Sequence, residues 1–381
     1  MKLSGDWIEA AHVQRVLAML ETAGHCAFLV GGCVRNAALS QPVSDIDIAT
    51  DALPERVITL AEVAGFKAVP TGIEHGTITV VAEHVPHEVT TFRRDVETHG
   101  RHATVAFSTD VREDAARRDF TMNALYARAD GTVIDPLGEG MNDLETRHLR
   151  FVGDPAQRIQ EDYLRILRFF RFTAWYGAPE RGIDAEGLAA CAAFSAGIET
   201  LSRERIGHEM RKLLAAPDPA PAVAAMQACG VLARVLPGAD ARALAPLVHL
   251  EGTRAPDPLR RLAVLGGTEV AERLRLSKPD ARRLERLQNA MAEDLDDAVL
   301  GYRYGTQDAC DALLLRAAFL GQEIDDSRWN RVEFGASRHF PVAARDLMPR
   351  YEGAALGAQL KALEERWIAS GFTLSRDALL R

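Results

Sequence analysis

The sequence predicts an α+β protein, with an α/β head that contains a small mixed sheet, followed by an all-α remainder. Up to about residue 135, short β-rich runs alternate with helical stretches. Beyond about residue 140, apolar residues recur at helical spacing throughout. A chain of 381 residues can hold about two to four domains and bury a large core.

The elements of the head follow from local patterns. Helical periodicity predicts helices near residues 7–22, 34–39 and 54–64. Runs rich in β-branched and apolar residues predict strands at residues 26–30, 45–49, 76–82, 87–92 and 132–135.

Breaks in the helical part coincide with prolines. They lie at residues 217–221, near Pro237 and Gly238, and at residues 255–258. Proline cannot continue a helix and glycine readily ends one, so these segments should interrupt the helical part.

Composition argues against several classes of protein. The chain has no run of 18 apolar residues and no signal peptide at its N-terminus, so we expect a soluble, cytoplasmic protein with no membrane contact. The five cysteines form no CxxC pair, which argues against a disulfide framework and a thiolate zinc site. The net charge is −9, but arginines concentrate between Arg147 and Arg211, where their guanidinium groups suit phosphates and bases.

The strongest functional signal lies within residues 28–50, where a glycine turn is followed by an arginine and two aspartates. Side chains alternate across a strand, so Asp45 and Asp47 should project together. Two such carboxylates repel each other unless a cation neutralises them, and Mg²⁺ binds one or two carboxylates together with substrate phosphates. The glycine turn at residues 31–32 presents backbone N–H groups to a phosphate, and Arg35 adds a forked donor.

These features together resemble the nucleotidyltransferase domain of the DNA polymerase β superfamily, and later motifs narrow the resemblance. RRDFTMNAL at 117–125 and EDYLRILRFFRF at 161–172 are similar to motifs of the class II tRNA nucleotidyltransferases and bacterial poly(A) polymerases. ERIGHEMRKLL at 204–214 resembles the motif that closes the neck region of that family, and residues 340–372 are similar to its C-terminal segment. The resemblance covers at least residues 28–214.

The resemblance implies roles at the metal and phosphate end of the site. Asp45 and Asp47 correspond to the aspartates that hold the metal ions, for which we expect Mg²⁺. Gly32 and Arg35 correspond to residues that bind nucleotide phosphate. A third acidic residue on a later strand often joins the metal pair in the family, and Glu88 is the candidate for this catalytic position.

The resemblance also implies how the base is chosen. Arg118 would contact the nucleotide, Asp162 and Arg165 would act as a protein template, and Arg168 and Arg171 would be further nucleotide ligands. A carboxylate accepts from the amino group of C or A while a guanidinium donates to the ring nitrogen. Uracil or guanine would leave buried polar groups unpaired, at about 1–3 kcal/mol each. Three positions apart, Asp162 and Arg165 should share one helical face, where a simple salt bridge between them is the alternative.

Most family members have aspartate after the arginine of the first motif, whereas this chain has Asn36, which keeps the hydrogen-bonding shape but loses the charge. Residues 93–110, which include Gly100, correspond to a loop that is flexible in the family and linked to the switch from C to A addition.

The resemblance finally implies a domain organisation and a reaction. We expect a catalytic head over residues 1–140, a nucleotide-selecting neck over 141–220, a body over 221–300 and a tRNA-contacting tail over 301–381. The implied reaction is template-independent addition of C, C and A to the 3′ end of tRNA from CTP and ATP, with release of pyrophosphate.

Three alternatives remain open on the sequence. A poly(A) polymerase would use ATP alone, although TGIEHGTITVV at 71–81 is more similar to the tRNA enzymes. A specialist that adds only CC or only A is the second. The third is a non-catalytic RNA-binding protein, against which the presence of both Asp45 and Asp47 argues.

Overall fold

The computed structural model describes residues 1–99 and 102–381, which form two compact units. The first comprises residues 1–239 with 272–275, and the second comprises residues 240–271 with 276–381. A sheet lies in the first unit and the second unit is helical, which confirms the predicted fold class. The finer division into neck, body and tail stays a prediction.

The head is built on a sheet of seven strands in the order β3-β4-β5-β2-β1-β8-β9. β2 and β5 run parallel, and the other neighbours in this sheet are antiparallel, so the sheet is mixed as predicted. A separate hairpin joins β6 and β7. The strands are β1 Ala27–Val30, β2 Asp47–Thr50, β3 Lys67–Gly72, β4 Thr77–Ala82, β5 Val85–Thr91, β6 Arg93–His99, β7 His102–Phe107, β8 Tyr126–Ala127 and β9 Val133–Ile134.

All five predicted strands form, with shifted ends, but the predicted loop at 93–110 is wrong over most of its length. β6 and β7 pair there as an antiparallel hairpin, while residues 100–101 lie outside the described residues. The segment is polar, yet its β-branched residues favour a strand. β3 was not predicted because it contains Pro70, which is tolerated here because β3 is an edge strand.

Helices of the first unit pack on the sheet and on one another. Those formed within residues 1–239 are α1 Asp6–Glu9, α2 Ala11–Thr22, α3 Gly32–Ala38, α4 Pro54–Val63, α5 Val111–Ala116, α6 Gly140–Glu145, α7 Pro155–Glu161, α8 Leu164–Tyr176, α9 Ala185–Ala193, α10 Arg203–Leu214, α11 Ala220–Ala228 and α12 Val231–Val235. α8 is amphipathic: Phe169 and Phe170 are fully buried, whereas its arginines lie on another face. α8 packs against α10 and α11, which fixes the position of those arginines.

The remaining helices are α13 Leu244–Glu251, α14 Pro258–Leu265, α15 Val270–Arg273, α16 Lys278–Ala292, α17 Asp297–Leu320, α18 Asp326–Ala336, α19 Gly353–Ala369 and α20 Arg376–Leu380. α17 is interrupted at Gly305, whose φ of 78° is not helical. α17 and α18 approach closely through Gly301 and Gly335, because a Cβ at Gly335 would lie 1.7 Å from a backbone carbonyl of α17. Within the described residues, every helix is too short or too polar to span a bilayer.

Candidate active site

A cleft of about 620 Å³ in the first unit gathers most of the predicted site residues. It lies among the β1–α3 turn, the start of β2, residues 118–123 and one face of α8, and α10 and the residue after it close one end. Glu88, Asp162 and Arg165 are not among the lining residues. Those that line it are Gly31, Gly32, Cys33, Arg35, Asn36, Ser44, Asp45, Asp47, Arg118, Asp119, Asn123, Arg168, Arg171, Phe172, Trp175, Tyr176, Lys212 and Ala215.

The glycine turn forms because the chain reverses sharply between β1 and α3. Gly31 has a φ of 72°, a left-handed conformation that favours glycine. A Cβ at this position would also lie 3.3 Å from Nη1 of Arg118. The glycine therefore permits both the turn and the close approach of an arginine, and α3 begins at Gly32 directly after it.

Asp45 and Asp47 border the same cleft, as predicted, but only Asp47 belongs to a strand. Asp47 pairs with Val30 of β1 and with Glu88 of β5. The prediction that the strand starts at Asp45 is wrong by two residues. The reason is that β1 turns away after Val30, so the chain before Asp47 has no partner on that side.

The carboxylates at the start of β2 form an electrostatically unfavourable group. Partial desolvation by the cleft walls and the negative charges of Glu88 and Asp45 raise the pKa of Asp47, against the opposing charge of Arg118. A hard divalent cation would relieve this repulsion, and two carboxylates suit a cation that also takes phosphate and water oxygens. Within the described residues, no group of three or more His, Cys, Asp or Glu side chains is arranged to hold a metal ion alone.

Glu88 lines a second recess, of about 650 Å³, which shares the aspartate pair with the cleft. Asp45 and Asp47 line both cavities, and Glu88 lines this one alone. The recess is lined by Ser44, Asp45, Ile46, Asp47, Thr79, Val85, Pro86, His87 and Glu88. The two aspartates thus stand where the two cavities meet.

Arg35 is a buried cation whose hydrogen bonds, within the described residues, go to neutral groups. Its Nη2 donates to Oδ1 of Asn36 at 2.8 Å and to the Tyr176 hydroxyl at 2.9 Å, and its Nη1 donates to Oδ1 of Asn123. The guanidinium carbon lies 4.1 Å from the centre of the Tyr176 ring. Burial lowers the pKa of Arg35, but arginine remains protonated at neutral pH. Because Asn36 is uncharged, it fixes Arg35 without neutralising it.

Arg118 is held by a buried acid–phenol pair. Its Nη2 donates to Oδ2 of Asp114 at 2.9 Å, and its Nε donates to the Tyr126 hydroxyl at 3.0 Å. The Tyr126 hydroxyl in turn donates to Asp114 at 2.6 Å. Although burial acts in the opposite direction, the charge of Arg118 lowers the pKa of Asp114. These bonds use Nε and Nη2, and Nη1 points towards Gly31 in the cleft.

Arg168 and Arg171 lie one turn apart on α8 and both face the cleft. Nε of Arg168 donates to Oδ2 of Asp119 at 2.7 Å, and Nε of Arg171 donates to Oε2 of Glu209 at 2.6 Å. Asp119 also accepts from Nδ2 of Asn123 at 2.9 Å. Burial opposes ionisation of Asp119, but the charge of Arg168 lowers its pKa to about 2. Each arginine is therefore oriented by a buried carboxylate.

Asp162 and Arg165 do not share a helical face, so that prediction is wrong. α7 ends at Glu161 and Asp162 follows in an extended conformation, where its Oδ1 accepts from the N–H of Leu164 in α8. Its Oδ2 accepts from Nη2 of Arg205 at 2.6 Å, whereas Arg165 pairs with Glu161. Asp162 therefore lies between two helices instead of within one. The alternative, a salt bridge between Asp162 and Arg165, is absent among the described residues as well.

The carboxylates and the phenols that hold the arginines were not predicted from the sequence. Asp114 is four positions before Arg118, a spacing that could have indicated a pair on one helical face. Asp119 lies inside a recognised motif, but its partner Arg168 is 49 residues away, so the sequence does not signal their contact. Tyr176 had no signal of its own.

Two family models match the chain. One, described as the Poly A polymerase head domain, matches residues 27–150. The other, described as a probable RNA and SrmB-binding site of polymerase A, matches residues 182–242. The first model thus matches the head, and the second matches helices that follow the head in the chain.

Whole proteins and solved structures are similar as well. CCA tRNA nucleotidyltransferase 1, mitochondrial, of Mus musculus is 31% identical over 403 aligned residues, which span 100% of this chain and 92% of that protein. The CCA-adding enzyme of Bacillus cytotoxicus is 42% identical over 206 residues, 53% of this chain and 49% of that one. The structure of the Bacillus stearothermophilus CCA-adding enzyme in complex with CTP has a TM-score of 0.70 and 26% identity, and the match covers 94% of this chain and 93% of that chain.

A more distant structure shares the fold. The Thermotoga maritima CCA-adding enzyme complexed with tRNA_CCA has a TM-score of 0.70 at 16% identity, with 100% of this chain and 98% of that chain covered.

Proposed function

Because this chain belongs to the CCA tRNA nucleotidyltransferase family, we propose that it adds C, C and A to the 3′ end of tRNA. It takes the nucleotides from CTP and ATP, needs no nucleic-acid template and releases pyrophosphate. The terminal 3′-hydroxyl of the RNA attacks the α-phosphorus, a new P–O bond forms, and the bond to the bridging oxygen of pyrophosphate breaks.

One feature of the structure supports this reaction most directly. Asp45 and Asp47 border the same cleft as Arg35, Arg118 and Arg168. Two carboxylates and several fixed guanidinium groups in one cleft suit a polyphosphate that also carries a divalent cation. A binding protein without catalytic activity would not need the repelling aspartates.

Several residues of the cleft would bind the triphosphate, each through a different group. Gly32 offers its backbone N–H in the first turn of α3, and Arg35, whose described hydrogen-bond partners are neutral, keeps its charge for a phosphate. Arg118, whose guanidinium is held by Asp114, neutralises further phosphate charge. Such preorganised donors stabilise developing charge without having to reorient during the reaction.

Asp45 and Asp47 are the residues that would hold Mg²⁺, with Glu88 nearby as a further acidic group. Bound Mg²⁺ supplies Lewis-acid stabilisation of the attacking and leaving oxygens. Because Asp45 and Asp47 line both the cleft and the recess bordered by Glu88, they would set the position of the α-phosphate between these two cavities. That recess, bordered by Glu88, is where we place the 3′-hydroxyl of the RNA.

Arg168 and Arg171 are proposed as nucleotide ligands, and Asp162 with Arg165 as the residues that select the base. The latter two are engaged by Arg205 and Glu161 in this structure. We therefore expect them to exchange these partners for the Watson–Crick edge of C or A when a nucleotide binds.

The partner of the helical part is proposed to be tRNA. Residues 301–381 would contact its backbone, since A-form RNA is recognised largely by shape and phosphate contacts. The cytoplasmic location expected from the sequence stays a prediction, and the Mus musculus relative is by name a mitochondrial protein.

The proposal is tested by supplying labelled CTP and ATP, separately and together with Mg²⁺, to a tRNA that lacks its last three nucleotides. An unstructured RNA of similar length is the control acceptor. We expect two C residues from CTP alone, C, C and A from both nucleotides, and little addition to the unstructured RNA. Failure to extend the tRNA with any nucleotide would refute the proposal.

Poly(A) polymerase activity is the second candidate, because the head matches a family model named for that enzyme. The same assay distinguishes the two. Long A tracts on either RNA, with no use of CTP, would identify a poly(A) polymerase. Addition of only CC or only A would identify a specialist.

A further inference from the structure

One end of the cleft carries an aromatic side chain for which the reaction above provides no role. Arg168, Arg171 and Trp175 recur at the spacing of a single helical face on α8 and all three line the cleft. At 1.5 Å per residue, Trp175 lies about 10 Å along the helix from Arg168. Lys212 of α10 lines the same end.

Trp175 is the aromatic ring of this cleft whose faces are least occupied. The Phe172 ring has the guanidinium of Arg171 at 4.4 Å and that of Arg35 at 5.0 Å from its centre. The Tyr176 ring has Arg35 at 4.1 Å. Within the described residues, no ring and no guanidinium stacks on Trp175.

The indole of Trp175 is nevertheless fixed in place. Its Nε1–H donates to the backbone carbonyl of Lys212 at 2.8 Å, which ties α8 to α10. Because an indole N–H points along the plane of the ring, this hydrogen bond occupies neither face of the indole. Lys212 itself is exposed and lines the same cleft.

We propose that Trp175 is a stacking platform for a nucleobase bound in this cleft, with Lys212 as a neighbouring cation for the phosphate of the same nucleotide unit. This inference rests on the proposed function, since it takes the ligand to be a nucleotide. The base comes either from the incoming nucleoside triphosphate or from the 3′ end of the RNA.

Stacking has a predictable size and preference. Base–aromatic stacking contributes about 1–3 kcal/mol per base, which corresponds to a change of about 5- to 150-fold in affinity. Adenine has a larger ring system than cytosine, so removal of the indole should weaken ATP binding more than CTP binding if the base is that of the incoming nucleotide.

The experiment compares Trp175→Leu, which removes the aromatic face, with Trp175→Phe, which keeps a ring but loses the N–H donor. Binding of ATP and CTP is measured with Mg²⁺ and no RNA, and binding of a tRNA ending in CC is measured without nucleotide. Loss of about 5- to 150-fold in Trp175→Leu, with most affinity kept in Trp175→Phe, is the expected result. Weaker binding of ATP and CTP would identify the base of the incoming nucleotide as the one that stacks on Trp175. Weaker binding of the tRNA alone would identify the RNA base.

A second measurement is independent of how well Trp175→Leu folds. Nucleobase stacking should quench the indole emission of Trp175 in the wild-type protein. The same titration of Trp175→Phe should show a much smaller change, because the remaining tryptophans are Trp7, Trp329 and Trp367, and none of them lines the cleft.

The inference is overturned if Trp175→Leu binds nucleotides and RNA as the wild type does. It is also overturned if Trp175→Phe loses as much affinity as Trp175→Leu, since the hydrogen bond to Lys212 would then be the important contact. A wild-type protein that binds nucleotide but extends no RNA would instead refute the proposed function.

Discussion

Replacement of Asp119 by asparagine should reduce stability by an amount that depends on pH. Asp119 is 8% exposed and accepts from Arg168, from Nδ2 of Asn123 at 2.9 Å and from the N–H of Phe120 at 2.9 Å. The substitution Asp119→Asn keeps the shape but removes the charge, so Arg168 loses its anionic partner.

The magnitude follows from the pKa of this carboxyl, which is 3.8 for an ordinary aspartate and about 2 here. Preferential ionisation in the folded state corresponds to about 2 kcal/mol of stability at neutral pH. Because the folded-state pKa is lowered, this contribution is complete above about pH 4 and is lost as the pH falls through about 2. At pH 3 about half of it should remain.

Urea unfolding followed by circular dichroism measures the difference between wild type and Asp119→Asn at pH 7, 5 and 3. Glu199→Gln is the matched control, because Glu199 pairs with Arg234 but is 63% exposed, and we expect it to change stability by less than about 0.5 kcal/mol. A difference for Asp119→Asn no larger than that of the control, or one that does not shrink at pH 3, would refute the reasoning.

Three further predictions concern Arg118, the contact between α17 and α18, and base selection. Asp114→Asn should raise the KM for CTP and for ATP by about 10- to 100-fold with a smaller change in kcat, because Arg118 loses its charged partner. Steady-state assays that give an unchanged KM would contradict this prediction. Gly335→Ala should lower the free energy of unfolding by about 1–3 kcal/mol, since its Cβ would lie 1.7 Å from a carbonyl oxygen. By contrast, Gly357→Ala, with open space at its Cβ within a helix, should be neutral or stabilising. Arg165→Ala should allow incorporation of UTP and GTP, and competition assays that still show strict preference for C and A would remove it from base selection.

The elements of the head were predictable because their signals are local. β-branched runs between polar segments predicted the strands that form the centre of the sheet. Helical periodicity predicted α3, although this helix begins at Gly32 and not near residue 34. The β6–β7 hairpin was missed because its polar composition masked its β propensity. The sheet order, which places Glu88 beside Asp47, depends on pairings that no local pattern specifies.

The predicted site was partly right for the same reason. Residues close in sequence, such as Asp45 and Asp47, were found as a pair from their spacing alone. The placement of Asp162 and Arg165 was wrong because no proline or glycine marks the break between α7 and α8. Contacts such as that between Asp119 and Arg168 arise only when distant segments pack together.

The most direct test of the central claim is incorporation by Asp47→Ala compared with wild type, on a tRNA that lacks its last three nucleotides. Glu62→Gln, a charge change on an exposed position of α4, serves as the control. We predict that wild type and control add C, C and A, while Asp47→Ala adds neither nucleotide and still binds the tRNA. Substantial incorporation by Asp47→Ala would show that the aspartates at the start of β2 are not where the reaction takes place.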